Sequence, residues 1–267
     1  MADVYLHGHH ASVLASHGAR TAVDSAAYLL PHLRDGLRLL DVGCGPGTIT
    51  LDLAESVAPT GAVVGIENVE GPLDEARRNA AARRDARTVF ELADVMALPY
   101  AAASFDVVHA HQVLQHLPDP VGALRQMARA TRPGGLVAVR DVDYASMVWH
   151  PASDGMTMWL EVYRRLARLN HAEPDAGRHL LAWAHAAGLT ELTPSASVWT
   201  YATAQHCAWW GDTWARRALE STFATQAIEH GLLTAAELAE VSAAWRRWST
   251  HADAWFAMTH AELLARV

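Results

Sequence analysis

The 267-residue chain contains no lysine, because all 21 of its basic residues are arginines. This absence excludes two common uses of lysine in enzymes, the phosphate-binding lysine of a P-loop and a Schiff-base nucleophile. Cysteine is nearly absent as well, since the chain has only Cys44 and Cys207 and neither belongs to a CxxC pair. A disulfide framework is therefore excluded.

Long apolar runs and an excess of positive charge are also missing. No apolar run reaches the roughly 18 residues of a membrane-spanning helix, and residues 1–16 lack the basic start and apolar block of a signal peptide. We therefore expect a cytosolic protein without a membrane span. The formal charge of −8 argues against nucleic acid as a partner, because binding to its backbone depends on clustered basic residues. Small molecules are the expected partners.

Short apolar runs alternate with amphipathic runs in the first half of the chain. The runs between the apolar ones, such as LDEARRNAAARR, place apolar residues at three- and four-residue spacing, which indicates helices. This alternation predicts an α/β fold with a doubly wound, mostly parallel sheet, whose ligand crevice lies at the carboxyl ends of the strands. The candidate strands are LRLLDV (37–42), AVVGIE (62–67), RTVFELA (87–93), FDVVHA (105–110) and GLVAVRDV (135–142).

The remaining sequence predicts additions to this core. Residues 1–36 are predicted to form a lid of one or two helices, broken near Gly18. Residues 189–202 and 254–267 supply two more candidate strands, which brings the sheet to seven, although a helix is the alternative for the last. Further helices are expected at about 154–170, 175–188, 205–221 and 233–249. The predicted division is a lid (1–36), a ligand-binding core (37–202), a helical insertion (203–252) and a final strand of the core (253–267).

The segment LLDVGCGPGTIT (39–50) joins the first strand to a helix through Gly43, Gly45 and Gly47. A dinucleotide fingerprint requires G-x-G-x-x-G, whereas the spacing here is G-x-G-x-G, so a pyrophosphate is disfavoured. The glycines indicate a tight turn whose backbone a ligand approaches closely, or a strand-to-helix turn without a ligand. A nucleotide-dependent oxidoreductase is the less favoured alternative.

Polar residues stand at the ends of the next three predicted strands. Glu67 ends the second strand, where a carboxylate can accept hydrogen bonds from both hydroxyls of a ribose. Asp94 follows the third strand, in a position to accept from the amine of an adenine. His111 and Gln112 follow the fourth. Because the carboxyl ends of parallel strands meet at one edge of a sheet, we expect these four side chains to lie together; a solvated loop residue is the alternative for any one of them.

Five segments between residues 37 and 143 carry a family resemblance. They are LLDVGCGPG, VVGIENVE, ADVMALPY, FDVVHAHQVLQHLPDP and the RPGG that precedes LVAVRD. Together they resemble the class I S-adenosylmethionine (SAM) methyltransferases, in particular the ubiquinone and menaquinone methyltransferases. The resemblance implies a seven-stranded Rossmann-like methyltransferase fold, SAM as the cofactor and S-adenosylhomocysteine as its product.

The resemblance also implies cofactor roles for individual residues. Asp41 and the glycine loop would surround the methionine part of SAM, Glu67 would bind the ribose, and Asp94 with its neighbour would bind the adenine. Two positions depart from the family, which usually has Asp in place of Glu67 and a small residue or Asn in place of His111. The expected cofactor contacts are Thr21, Asp41, Gly43, Cys44, Gly45, Gly47, Glu67, Asn68, Ala93, Asp94, Val95, His111 and Gln112.

His111 is the candidate catalytic residue. Methyl transfer to an oxygen, nitrogen or carbon nucleophile depends mainly on the placement of the reactants, and a general base adds less. Histidine titrates near neutral pH, so His111 is expected to orient or deprotonate the acceptor; a histidine that begins a helix, or that only supports the residues of the site, is the alternative. No metal is predicted, since HGHH (7–10) has no neighbouring Cys or carboxylate and Asp141 with Asp143 gives only part of a catechol-type magnesium site.

The acceptor is expected to contact the N-terminal lid and the region after the fifth strand. All ten tryptophans lie between residues 149 and 255, which favours a flat or apolar acceptor, although core packing or a homodimer face would also explain them. The predicted function is methylation of a small organic metabolite, such as a quinone precursor or a specialised natural product. A SAM-binding protein that does not methylate is the alternative. The candidate acceptor contacts are Tyr5, His9, His10, His17, Asp143, Tyr144, Trp149, His150 and Tyr163.

Overall fold

The computed structural model describes residues 20–267 as a mixed α/β fold around one sheet. The strands are β1 (Arg38–Val42), β2 (Ala62–Glu67), β3 (Thr88–Leu92), β4 (Phe105–His111), β5 (Thr131–Val142), β6 (Val148–His150), β7 (Glu191–Tyr201) and β8 (Trp255–Arg266). The α-helices of this part of the chain are α1 (Ala22–Ser25), α2 (Thr48–Ser56), α3 (Glu70–Arg83), α4 (Pro120–Ala130), α5 (Asp154–Leu169), α6 (Leu180–Ala187), α7 (Ala204–Glu220), α8 (Thr222–Glu229) and α9 (Ala235–Ser249).

The sheet confirms the predicted doubly wound architecture. Strands β1 to β5 are parallel in the order β3-β2-β1-β4-β5, and β8 lies antiparallel between β5 and β7. The segment with two interpretations, 254–267, is therefore a strand. The prediction of seven strands was one short, because the three residues of β6 pair with the start of β8 beside β5. Three residues are too few to show a periodic pattern in a sequence.

Helices pack their apolar faces against both faces of the sheet, which is why its central strands are mostly apolar. On one face, Leu39 and Val107 pack with the segment that contains α1 and with Leu53 of α2. On the other face, Leu40 and Val108 pack with α4 and α6. The arrangement leaves the carboxyl ends of β1 to β5 together at one edge, where the glycine loop also lies.

The described part of the predicted N-terminal helices is much less helical than expected, and residues 1–19 lie outside the described residues. Helix α1 has four residues, and a single 3₁₀ turn at Leu30–His32 follows it. Thr21 begins α1 with a capping box to Asp24. The carbonyl of Asp24 then accepts a hydrogen bond from Trp199 Nε1 at 2.8 Å, so a tertiary contact takes the place of further helix.

The segment between β7 and β8 is helical and forms a second, aromatic core with α5. Helix α9 packs against α7 and α5. Ser221 follows the last residue of α7 and caps the start of α8. The helix predicted at 205–221 therefore matches α7, whereas α8 was not predicted. Trp210, Trp245 and Trp248 are buried here, so they do not provide a surface for a homodimer. No helix within residues 20–267 is long and apolar enough to cross a membrane.

Candidate active site

A cavity of about 260 Å³ lies at the carboxyl ends of the strands and extends from the end of β3 to β7 and α7. The structure brings most of the predicted site residues together along its wall. Its two ends differ in character: the glycine loop and carboxylates lie toward β3, and aromatic side chains lie toward β7. The predicted residues that line it are Asp41, Gly43, Cys44, Gly45, Glu67, Asn68, Ala93, Asp94, Val95, His111, Gln112, Tyr144 and Tyr163.

The glycine loop presents bare backbone to this cavity at Gly45. Gly45 has a φ of 53°, and no heavy atom lies within 4 Å of the place where a Cβ would stand. Gly47 has another purpose, because a Cβ there would lie 2.8 Å from Phe90 Cζ and 2.9 Å from Ala76 Cβ. Gly45 therefore fits the close approach of a ligand, whereas Gly47 permits α2 to pack and does not line the cavity.

Asp41 braces the start of the loop from beneath. Its Oδ1 accepts a hydrogen bond from His109 Nδ1 at 2.7 Å, and its Oδ2 accepts one from the hydroxyl of Thr50 at 2.5 Å. The carboxylate is buried and joins β1, β4 and α2 at the point where the loop begins. Asp41 thus fixes the loop, and both of its oxygens already have protein partners.

Glu67 connects the end of β2 to the glycine loop. Its Oε1 accepts a hydrogen bond from the Gly45 N–H at 2.9 Å, and its Oε2 accepts one from the Asn68 N–H at 3.2 Å. Burial raises the pKa of Glu67, and these two amides oppose the rise. Each carboxylate oxygen can accept a second hydrogen bond, so the side chain can hold the loop and still bind a pair of hydroxyls.

Asp94 stands at the end of β3 with one oxygen engaged. Oδ1 accepts a hydrogen bond from the Met96 N–H at 2.8 Å and caps the 3₁₀ turn Val95–Ala97. The side chain is exposed at the cavity, and Oδ2 makes no hydrogen bond within residues 20–267. This oxygen can accept from an exocyclic amine, as expected for adenine.

His111, the last residue of β4, is neutral in this setting. Burial, followed by the charges of Arg140 and Arg20, lowers the pKa of His111 well below its usual value. Arg140 Nη1 lies 3.4 Å from His111 Nδ1. A guanidinium can only donate, so Nδ1 accepts and we assign the ring proton to Nε2, which makes no hydrogen bond within residues 20–267. The ring therefore offers the site a donor more readily than a base.

Sequence reasoning missed a buried polar network behind His111 and Gln112. Gln112 has a φ of 55°. Its Oε1 accepts a hydrogen bond from Arg20, and its Nε2 lies 2.7 Å from Nε2 of His260. Arg140 is fully buried and contacts Glu262 of β8. The sequence did contain a signal for this network, because Arg140 lies within the apolar run GLVAVRDV and Glu262 within AELLARV. A charged residue that is buried in a strand requires a partner.

The far end of the cavity is aromatic, and sequence reasoning found only part of it. Tyr144 stacks on Tyr163 with ring centroids 4.3 Å apart. His116 also lines the cavity, and burial lowers its pKa to about 3. The other residues at this end include Met147, Trp199, Trp210, Trp214, Arg217 and Met258. No local motif marks these residues in the sequence. Only the fold shows that β7 and α7 lie beside the carboxyl ends of the parallel strands and line the cavity there.

Four other predicted residues lie away from the cavity. Thr21 caps α1, and the Asp143 carboxylate binds Arg178. After β5 the chain turns into β6, where Trp149 stacks on Phe256 at 6.2 Å and the His150 carbonyl accepts a hydrogen bond from Trp248. Pairing of β6 with β8 directs these two residues away from the strand ends. Tyr5, His9, His10 and His17 lie outside the described residues.

Candidate metal ligands are scattered in the described part of the chain. Residues 20–267 contain no group of three or more His, Cys, Asp or Glu side chains that could hold a metal ion. Asp143 is engaged by Arg178, and buried Asp141 accepts a hydrogen bond from the Gln115 N–H at 3.3 Å. The HGHH segment lies outside the described residues.

Comparisons with known proteins find methyltransferases among the relatives of this chain. The family described as a methyltransferase domain matches residues 33–197. An uncharacterized methyltransferase of Schizosaccharomyces pombe is 31% identical over 268 residues, which cover 97% of this chain and 95% of the relative. The 27-O-demethylrifamycin SV methyltransferase of Amycolatopsis mediterranei is 48% identical over 120 residues, or 44% of this chain and 43% of the relative. The crystal structure of the cyclase SpnF aligns with a TM-score of 0.54 and 23% identity, covering 92% of this chain and 83% of that one.

Proposed function

The chain belongs to the class I SAM-dependent methyltransferases, and on this premise we propose that it methylates an oxygen, nitrogen or carbon atom of a flat, apolar organic metabolite. The observation that carries the proposal is the single cavity that joins the glycine loop to an aromatic chamber formed by Tyr144, Tyr163, Trp199, Trp210 and Trp214. Aromatic and thioether side chains favour a planar, weakly polar ligand. A quinone precursor or a specialised natural product meets this description.

The Amycolatopsis relative, named for 27-O-demethylrifamycin SV, supports an organic small molecule as the acceptor. We also propose that the chain is most similar in function to the quinone methyltransferases. The formation of a lid by residues 1–36, a homodimer and a cytosolic location are likewise proposals. Membership of the methyltransferase family favours methyl transfer over a SAM-binding protein that does not methylate and over a nucleotide-dependent oxidoreductase.

The residues at the β3 end of the cavity fit SAM. Gly45 leaves space for the methionine part, Glu67 retains capacity for two ribose hydroxyls, and Asp94 Oδ2 can accept from the adenine amine. When bound, SAM supplies an electrophilic methyl group on a positively charged sulfur. The carboxylates of this end give it a negative potential that suits a cation.

His111 has the role of an orienting donor in this proposal. Its neutral ring can donate a hydrogen bond from Nε2 to an acceptor oxygen, and its lowered pKa makes it a poor general base at neutral pH. Stacking of the acceptor against Tyr144 and the tryptophans would fix its plane. Most of the rate enhancement then comes from placement of the nucleophile.

The test is transfer of a labelled methyl group. The purified protein is incubated with methyl-labelled SAM and a metabolite extract, and products are identified by mass spectrometry. The expected result is S-adenosylhomocysteine together with one labelled aromatic or quinone-like metabolite. Extract without protein and extract with the Glu67→Gln variant serve as controls. Tight binding of SAM with no labelled product from any extract would contradict the proposed function.

A further inference from the structure

A row of polar side chains crosses four strands on one face of the sheet. His111 of β4 stands opposite Arg140 of β5. Arg140 stands opposite Glu262 of β8, which in turn stands opposite Ser195 of β7. Residues that stand opposite each other on neighbouring strands share a face of the sheet, so these four side chains form one line. The line begins at the cavity, which His111 lines, and ends at Ser195, which is exposed.

Arg140 is held firmly within this row. It is fully buried, and its Nε donates to Glu262 Oε1 at 3.3 Å and to Ser197 Oγ at 3.2 Å. Its Nη2 donates to the same hydroxyl at 3.0 Å, and the guanidinium carbon lies 4.9 Å from the centre of the Trp199 ring. The carboxylate of Glu262 is fixed in turn, because its two oxygens accept hydrogen bonds from the hydroxyls of Ser197 and Ser195. The guanidinium therefore has a charged partner and little freedom to turn.

The other branch of the guanidinium reaches the ring of His111, where Nη1 lies 3.4 Å from Nδ1. The ion pair of Arg140 with Glu262 uses the Nε side of the guanidinium, so it does not require a branch directed at the ring. Such a branch does select one form of the ring, because a guanidinium nitrogen only donates and Nδ1 must then accept. The ring proton is thereby kept on Nε2.

We propose that Arg140 is a positioning residue that keeps the proton of His111 on Nε2, ready for donation to an oxygen of the acceptor, and that Glu262 and Ser197 hold Arg140 for this task. The inference rests on the proposed function, because the tautomer matters to the reaction only if His111 contacts the acceptor. Arg140 itself does not line the cavity, so it acts through His111 alone.

Substitution with lysine separates this role from that of a structural ion pair. A lysine keeps the positive charge, and its ammonium can take the place of Nε beside Glu262, but it has no second branch to reach Nδ1. Arg140→Lys should therefore leave the fold intact and release the tautomer of His111. Arg132→Lys is the matched control, because Arg132 lies on the same strand, pairs with Asp106 and does not line the cavity.

Nitrogen NMR of protein labelled in its histidine rings reads the tautomer directly, and a His111→Asn variant assigns the resonances. With S-adenosylhomocysteine bound, the wild-type protein and the control should have Nδ1 unprotonated and Nε2 protonated. In Arg140→Lys, part of the population should carry the proton on Nδ1. A wild-type ring protonated on Nδ1, or an Nδ1 resonance that is the same in Arg140→Lys as in wild type, would overturn the inference.

The lysine variant also holds the electrostatic environment of the ring nearly constant. The groups whose charge acts on His111 are Arg140 of β5, Arg20 before α1, His260 of β8 and His109 of β4. Arg140→Lys retains the charge of the first and leaves the other three in place. A change in the tautomer then reports the lost hydrogen bond rather than a lost charge.

If Arg140→Lys does not fold, the double variant of Arg140→Met with Glu262→Met replaces it. Apolar residues are often tolerated in place of both partners of a buried ion pair, whereas removal of one partner leaves an uncompensated charge. The same release of the tautomer is expected. An Nδ1 resonance unchanged from wild type would overturn the inference in this variant as well.

Binding of S-adenosylhomocysteine, measured first in every sample, separates the two proposals. Wild-type protein that fails to bind it contradicts the proposed function, whereas wild-type protein that binds it with the proton of His111 on Nδ1 contradicts only the role of Arg140. With the acceptor found by methyl labelling, Arg140→Lys should lower kcat about two- to tenfold and leave KM for SAM within about twofold of wild type, since one neutral hydrogen bond is affected. An unchanged kcat would overturn the inference.

Discussion

Glu67→Gln should weaken SAM binding strongly while leaving the fold intact. The amide keeps the shape of the side chain, and its single oxygen can still accept the Gly45 N–H that lies 2.9 Å from Oε1. The other amide, at Asn68, is exposed and can turn to water when its partner is lost. The substitution therefore removes the charge from the ribose site without releasing the glycine loop.

The magnitude follows from the two hydrogen bonds that the ribose would make. A hydrogen bond to a charged group contributes about 1.5–3 kcal/mol, compared with about 0.5–1.5 kcal/mol for a neutral one. Loss of charge assistance in two bonds is then about 2–3 kcal/mol, which raises Kd by about 30- to 150-fold. Glu67→Asp keeps the charge but shortens the side chain, so it should lose the contact with Gly45 and give a smaller increase.

Calorimetry with SAM measures this effect, and Glu70→Gln is its matched control. Glu70 begins α3 three residues later, lies outside the cavity and forms an exposed ion pair with Arg77. The control should bind within about twofold of wild type, because exposed ion pairs contribute little. A Glu67→Gln variant that binds SAM within about threefold of wild type would show that the carboxylate does not hold the ribose.

Three further predictions concern buried groups. His111→Ala should lower kcat/KM about tenfold through loss of one neutral hydrogen bond, and His111→Asn should retain more activity; a pH limb near 6.5 in the wild-type rate that vanishes in His111→Ala would instead show a base. Burial raises the pKa of Asp141 to about 8, so the folded protein holds this proton more tightly than the unfolded chain, and stability falls by about 1.4 kcal/mol per pH unit between about pH 4 and 8. Asp141→Asn should abolish that fall. In urea unfolding, the stability of the variant relative to wild type should therefore increase from pH 5 to pH 8, and an equal stability difference at both pH values would refute this. The pKa of His116 is lowered to about 3, so below about pH 6.5 the unfolded chain binds a proton that the folded protein does not, and the free energy of unfolding falls with pH. His116→Gln should therefore reduce the loss of thermal stability between pH 6 and 4. An unchanged acid profile in thermal melts would contradict this.

The grouping of the glycine loop and the carboxylates at one end of the cavity could be predicted from the sequence because its signals are local. Gly43 and Gly45 follow β1 and Glu67 ends β2, two strands whose apolar pattern is clear, and parallel strands bring their carboxyl ends to one edge. The same logic placed Asp94 and His111 correctly along the cavity. It could not show that Asp41 would be engaged by His109, since that contact joins residues 68 positions apart.

The aromatic end of the cavity could not be predicted because segments distant in the sequence form it. Trp199 comes from β7 and Trp214 from α7, and their positions depend on how β8 enters the sheet between β5 and β7. Trp149 and His150 were placed in the acceptor site because they follow β5 closely in sequence. In the structure these two residues belong to the short strand β6, which pairs with β8, and neither of them lines the cavity. The contact of Arg140 with Glu262, 122 positions away, depends on the pairing of β5 with β8.

The most direct test of the proposed cofactor site is a crystal structure with S-adenosylhomocysteine bound. The homocysteine part should lie against the backbone of Gly43 and Gly45, the ribose hydroxyls on the Glu67 carboxylate and the adenine beside Asp94. The sulfur should face His111 and the aromatic chamber. A nucleoside bound outside this cavity, or a ribose held by groups other than Glu67, would contradict it.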